Sequence, residues 1–243
     1  MATTEIIRTH IDIGAQATPL IARVNRRAKR LILKVDPVAG EILVTAPSKR
    51  SLPEAIAFAR ERSSWIAGQL DDKLRARPFC EGEECLIRGQ PHKIERSGGP
   101  RSPIRCIDNP APTVIVGGDG AHLNRRLTDW LKREAHRDLT AAVNQYCDQL
   151  GKRARPIRVR DTRTRWGSCT SDGMLSFSWR LIMAPPEILN YVAAHECAHL
   201  IHMDHSLAFW RQVKELGVDA RAAENWFAVH GPSLFSYGHN KAA

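Results

Sequence analysis

Apolar and polar positions follow two different periods along the chain, and the change between them divides it. Up to about residue 118 the pattern is mainly strand-like. Short alternations at 19–24 and 30–35, a turn at 35–40 and a third apolar stretch at 41–45 predict a small antiparallel meander. A helix is predicted over 52–74. Ser51 stands at its cap, Pro53 and Glu54 lie just inside, and Ala55, Ile56, Ala59, Ser63, Ile66 and Leu70 make an apolar stripe. Short strands resume at 85–88, 92–95 and 113–116, with Gly89-Gln90-Pro91 as a turn and a loop at 97–103. After Gly117-Gly118-Asp119-Gly120 the period becomes helical. A long helix is predicted over 122–150, with Leu123, Leu127, Trp130, Leu131, Ala135, Leu139, Ala142, Val143 and Tyr146 inward and Gly151 ending it. Strands follow at 157–160 and 175–179, the second entered by a Ser171-Asp172-Gly173 turn. Helices follow at 206–216 and 219–229, residues 235–243 read as frayed, and no internal repeat is seen. The expected architecture is α+β: a smaller, mainly-β N-terminal domain at 1–118 with one helix, and a second domain at 119–243.

Between the last strand and the last two helices lies the most apolar helical stretch. Pro185 and Pro186 open it and Glu187 sits at its positive end. Ile188, Leu189, Val192, Ala193, Ala194, Cys197, Ala198, Leu200 and Ile201 leave little of it polar, so a buried helix is expected, ending near Met203-Asp204. Set into it is His195-Glu196-Cys197-Ala198-His199, a match to H-E-x-x-H, and four of the chain's ten histidines fall within residues 195–205. On a helix, His199 lies about 40° round from His195 and about 6 Å along the axis, so two imidazoles can converge on one ion, with Glu196 between them in angle. A buried helix carrying two histidines and a glutamate on one side needs partners for all three, and a metal satisfies them together. For a third ligand, His202 is about 10.5 Å along a continuous helix from His195, too far to share the ion. His205, beyond the expected helix end, is preferred over Glu215 or Glu224.

Composition narrows the setting. A hydrophobic content of 43% and a charged content of 26% are ordinary for a globular protein, and 243 residues suffice for a substantial core. No apolar run approaches the 18–20 residues of a membrane span, and the first residues lack the basic start and apolar stretch of a signal peptide. The six cysteines are scattered without a C-x-x-C pair, so reduced thiols and a cytoplasmic location are expected. A net charge of +10 favours anionic partners, with nucleic acid or a nucleotide among them. Oligomeric state has no signature in the sequence.

Three separated motifs occur in order: R-D-T-R-T-R-W-G-S-C at 160–169, L-S-F-S-W-R-L at 175–181, and A-P-P-E-I-L-N-Y-V-A-A-H-E-C-A-H-L at 184–200 continued by M-D-H-S-L-A-F-W at 203–210. Together they resemble the YgjP-like metallopeptidases, a group related to the SprT-like proteins among the gluzincin-type zincins. The likeness is close over 120–230 and looser before it. The resemblance implies a zincin-like catalytic domain, with a small sheet over an active-site helix, ligands His195, His199 and His205, and zinc as the metal. Three imidazoles with an open position also suit zinc on chemical grounds.

The expected function is therefore zinc-dependent hydrolysis of peptide bonds in a peptide or protein substrate. The metal would acidify a water and polarise the carbonyl, and Glu196 would act as general base. Arg163 or Arg165 could stabilise an oxyanion or hold an anionic group; otherwise this stretch and Trp166 form a wall above the helix. Two alternatives stand beside the peptidase: a metal-dependent hydrolase of a nucleotide or other small anion, and a nucleic-acid-associated protein carrying a metallopeptidase domain. Trp179 and Trp210 are expected in the core.

Overall fold

A computed structural model describes residues 6–14, 16–36, 39–70, 77–108, 110–162 and 165–239. It contains eleven strands and six α-helices among these residues, in a mixed α/β arrangement with a strand-rich N-terminal region. Among them, no helix is long and apolar enough to cross a membrane. The chain divides into two compact units, one running to Arg77 and the other from Pro78. The division expected after residue 118 is thus too late. Cys85, Ile87, Ile94, Val114 and Val116, from the strands before it, share one hydrophobic core with the helices after it.

In the first unit, strands β1 (Ile6–Ile13), β2 (Gln16–Val24), β3 (Ile32–Asp36) and β4 (Glu41–Ala46) form a sheet in the order β1-β2-β4-β3. The expected meander is corrected in two ways. β1 adds a strand, and β4 inserts between β2 and β3, parallel to β2 and antiparallel to β3. The reason lies in the side chains. β4 buries Ile42, Val44, Thr45 and Ala46 and takes an inner position, whereas β3 buries no residue fully and stays at the edge. The predicted single helix is two, α1 (Leu52–Glu61) and α2 (Ser63–Gln69), broken at Arg62, whose N–H bonds to the Ala59 carbonyl in a tightened last turn. The end of the expected helix, beyond Leu70, lies outside the described residues. Leu52, Ala55, Ala59 and Ile66 fill the core under this sheet.

The second unit repeats the plan. Strands β5 (Glu84–Ile87), β6 (Gln90–Arg96), β7 (Arg105–Ile107) and β8 (Thr113–Val116) form a sheet in the order β5-β6-β8-β7, again antiparallel, parallel, antiparallel. In both units a capped 3₁₀ turn leads from the fourth strand into a helix. The sequence shows no repeat, so this is a likeness of topology alone. The β5–β6 turn is Arg88-Gly89 rather than Gly89-Gln90-Pro91. Both residues have positive φ, as a two-residue type I′ hairpin requires. Arg88 is held there by Asp138 and Glu134, at 2.7 and 2.8 Å, and by its amide donating to the Ile182 carbonyl.

The long helix α3 (Leu123–Gln149) buries the expected stripe except Trp130, which is only partly buried, and ends as expected at Gly151, whose positive φ lets Lys152 N–H reach back to the Cys147 carbonyl at 2.8 Å. Strands β9 (Arg158–Arg160), β10 (Gly167–Cys169) and β11 (Leu175–Ser178) make a small sheet with β10 at one edge. A 3₁₀ turn over Trp179–Met183 then leads to helix α4 (Pro186–Ala198), followed by α5 (Leu207–Glu215) and α6 (Ala220–Leu234). Ser206 and Asp219 cap the last two through their side chains.

The C-terminal stretch is not frayed through residue 239. Arg180, fully buried, donates to the Asp161 carboxylate and to the Tyr237 carbonyl, and also meets His239. Phe235 stacks on Trp166 at 4.4 Å and Ser236 is buried. A buried guanidinium needs acceptors, and Asp161 and the Tyr237 carbonyl supply them to its two terminal nitrogens.

Candidate metal centre

Helix α4 is buried along nearly its whole length and carries the H-E-x-x-H residues at its C-terminal end. It stops at Ala198, one turn earlier than the sequence suggests. The chain then tightens, with Leu200 N–H bonded to Cys197 O, Ile201 N–H to Ala198 O and His202 N–H also to Ala198 O. No positive φ is needed for this turn. It returns the chain so that His205 faces the helix, with its Nε2 3.2 Å from Nε2 of His195.

The three imidazoles of His195, His199 and His205 present ring nitrogens that all lie within 4.8 Å of one another. Each ring has one nitrogen left for the centre. Nδ1–H of His199 donates to the His202 carbonyl at 2.8 Å, which leaves Nε2 with its lone pair inward. Nδ1 of His195 is buried without a hydrogen-bond partner, so that ring's polar contacts converge on Nε2. Burial, then the neighbouring His199 and His205, push His195 down to about 4, which keeps it neutral and able to donate a lone pair. Two nitrogens held about 2.0–2.1 Å from a tetrahedral ion stand about 3.3 Å apart, close to the separation seen. The donor set and its spacing fit a divalent metal. His202 takes no part through its ring; its backbone carbonyl orients His199. Neither Glu215 nor Glu224 belongs to the cluster.

Beneath the rings lies Phe209 of α5, fully buried, its ring 4.5 to 4.9 Å from all three imidazoles and stacked on His199. Trp210 is not a core residue. It is partly exposed at the margin, 5.8 Å from His195 and from His205, because α5 turns its ring toward the histidines. Trp179 is fully buried, as expected.

Glu196 is 6% exposed, and burial pushes its carboxyl up to about 7, with the charge of Arg165 pulling the other way. It packs against the backbone of Gly167 on the edge strand β10. Both border a cleft of about 300 Å³ whose walls include Trp166, Tyr191, Glu224 and Phe227, with His195 at its base. Trp166 stacks between Phe227 and Phe235, and so belongs to this wall. The Tyr191 hydroxyl donates to Glu224 at 3.3 Å. Arg165 is exposed immediately before Trp166. Arg163 lies outside the described residues.

Phe209, Gly167 and Tyr191 were not legible as site residues, although two left a trace. Tyr191 stands four positions before His195 and so on its face of the helix, and Phe209 stands four after His205. Gly167 left none, because its neighbour Glu196 is 29 positions away.

A family model for the YgjP-like metallopeptidase domain matches residues 29–230. No curated protein and no solved structure matches the chain. The match begins after β1 and β2, takes in β3 and β4 of the first unit and runs through most of α6, so it covers the β5–β8 sheet and the histidine cluster. By that match the chain belongs to the YgjP-like metallopeptidases, a family of metal-dependent peptidases.

Proposed function

We propose that this protein is a zinc peptidase in which His195, His199 and His205 hold the metal and Glu196 is the general base. The observation that carries the reading is the convergence of three imidazoles beside a buried carboxylate. Zinc held there would supply Lewis-acid polarisation of a carbonyl and an acidified water. Glu196 takes the proton from the attacking water and returns it to the leaving amine, a role suited to a carboxyl raised toward neutrality. Edge strand β10 offers backbone groups on which an extended peptide can lie. Arg165, whose charge acts on Glu196, would meet an anionic group of the substrate or the developing oxyanion.

A polypeptide is favoured over a nucleotide by the apolar residues around His205. Met203 and Leu207, two positions to either side, are 53% and 86% exposed, and Ile201 is 40% exposed. Such side chains suit apolar residues of an unfolded or extended chain better than phosphates. The test is metal analysis of wild type, His205→Ala and Glu196→Gln, run with a peptide-library and a nucleoside-triphosphate hydrolysis screen. Full zinc occupancy in His205→Ala would remove it as a ligand. An active Glu196→Gln enzyme would remove Glu196 as the base, and turnover of the nucleotide alone would replace the peptidase reading.

A further inference from the structure

A second cluster of metal-binding side chains lies in the β5–β8 sheet. His92 on β6, Cys106 on β7 and Asp108 just beyond it present ligand atoms that all lie within 4.8 Å of one another. The sheet register explains the meeting. Lys93, Thr113 and Ile107 are cross-strand partners, as are Ile94, Val114 and Cys106. Side chains alternate between faces, so His92, Cys106 and Asp108 share the face that also carries the buried Ile94 and Val114.

The hydrogen bonding of His92 resembles that of His199. Its ring is 3% exposed, and Nδ1 meets the Gln90 carbonyl at 2.9 Å, which can only accept. Nε2 is left to face Asp108 Oδ1, 3.2 Å away, which as a carboxylate also only accepts, so a proton or a metal ion must lie between them. Cys106 Sγ approaches the same oxygen at 3.8 Å. A carbonyl that fixes the tautomer of a buried imidazole while its other nitrogen faces an anionic ligand is the usual surrounding of a metal-bound histidine.

We propose that His92, Cys106 and Asp108 form a second divalent-metal site, of the zinc class. One imidazole, one thiolate and one carboxylate make a borderline-soft set that calcium and magnesium do not favour. The Asp108 side chain is 80% exposed, which gives an ion a route in and leaves a fourth position open to water. Burial and then the Asp108 carboxylate push the Cys106 thiol up to about 11, so the bare site holds a protonated sulfur. Metal binding releases that proton to solvent as the sulfur–metal bond forms. The site is independent of the histidine cluster on α4 and of the peptidase reading.

Cobalt(II) separates the two sites, because a thiolate ligand gives an intense near-ultraviolet sulfur-to-metal charge-transfer band and three imidazoles do not. Metal-free full-length protein titrated with cobalt should bind two ions per chain and show this band. His205→Ala should keep the band while its stoichiometry falls to about one. Cys106→Ser should lose the band while still binding one ion. Asp108→Asn, a change at an exposed side chain, should weaken the banded site at least tenfold, and circular dichroism shows whether each variant is folded. No band in saturated wild type would mean that His92 and Asp108 form an ion pair only and would overturn the proposal. A band that survives in folded Cys106→Ser would overturn it too, by placing the thiolate elsewhere.

Discussion

Gly167 lies so close to Glu196 that a Cβ at position 167 would stand 2.5 Å from Oε1 and 2.6 Å from Cγ of the glutamate. The glycine of the W-G-S motif is therefore the space into which the carboxylate of H-E-x-x-H fits. Two motifs far apart in sequence are one packing unit.

Gly167→Ala should consequently displace Glu196 without touching a histidine. An ångström of misplacement at a reacting group costs about 10²-fold, so kcat should fall by about that factor while zinc stays bound. Turnover and metal content measured on the same preparation decide it. Wild-type kcat in the alanine variant would mean that Glu196 does not act from this position.

Phe209 supports the three imidazoles from below, and its removal leaves a cavity there. Phe209→Ala should cost about 3–5 kcal/mol in urea unfolding and weaken zinc binding by about tenfold or more, as loss of a ligand's support usually does. Phe209→Leu should show a smaller version of both effects. Equal zinc affinity in the two variants and wild type would show that the rings are positioned without it.

The pairing of Arg180 with Asp161 gives stability a dependence on pH. Burial raises the Asp161 carboxyl, but the hydrogen bond and charge of Arg180 outweigh it and hold it below its ordinary value. A depressed carboxyl contributes stability that is present above its unfolded pKa, about 3.9, and is lost as pH falls through the lower folded value. Asp161→Asn should therefore flatten the loss of stability below about pH 4. At neutral pH it should cost about 2–3 kcal/mol, less than for a fully buried pair because half of Asp161 is solvated. An unchanged acid limb in denaturant titrations at several pH values would contradict this.

Gly89 combines a positive φ with a Cβ position 3.0 Å from Pro185, the residue before α4. Gly89→Ala should destabilise by about 1–3 kcal/mol through backbone strain alone. A lower urea midpoint with an unchanged slope is the expected signature.

Much of the second unit was legible before its structure. The stripe of α3, its Gly151 terminus, the starts of the last two helices and the histidine spacing on α4 are all set within a few residues of chain. The misreadings fall where partners are distant. Phe235 to His239 looked like a loose tail because nothing nearby in sequence reveals that Arg180 requires its carbonyl and ring. The domain boundary was set by a glycine-rich turn, whereas burial joins β5–β8 to α3.

By itself the sequence determined most of the helices and the histidine spacing on α4, since helical period and the reach of neighbouring side chains are short-range properties. The tertiary structure alone decided that β4 lies between β2 and β3, that Gly167 makes room for Glu196, and that His92, Cys106 and Asp108 meet. The reason is physical. Strand order and close contacts between remote residues follow from which surfaces exclude water together, and that choice is made over the whole core rather than along the chain.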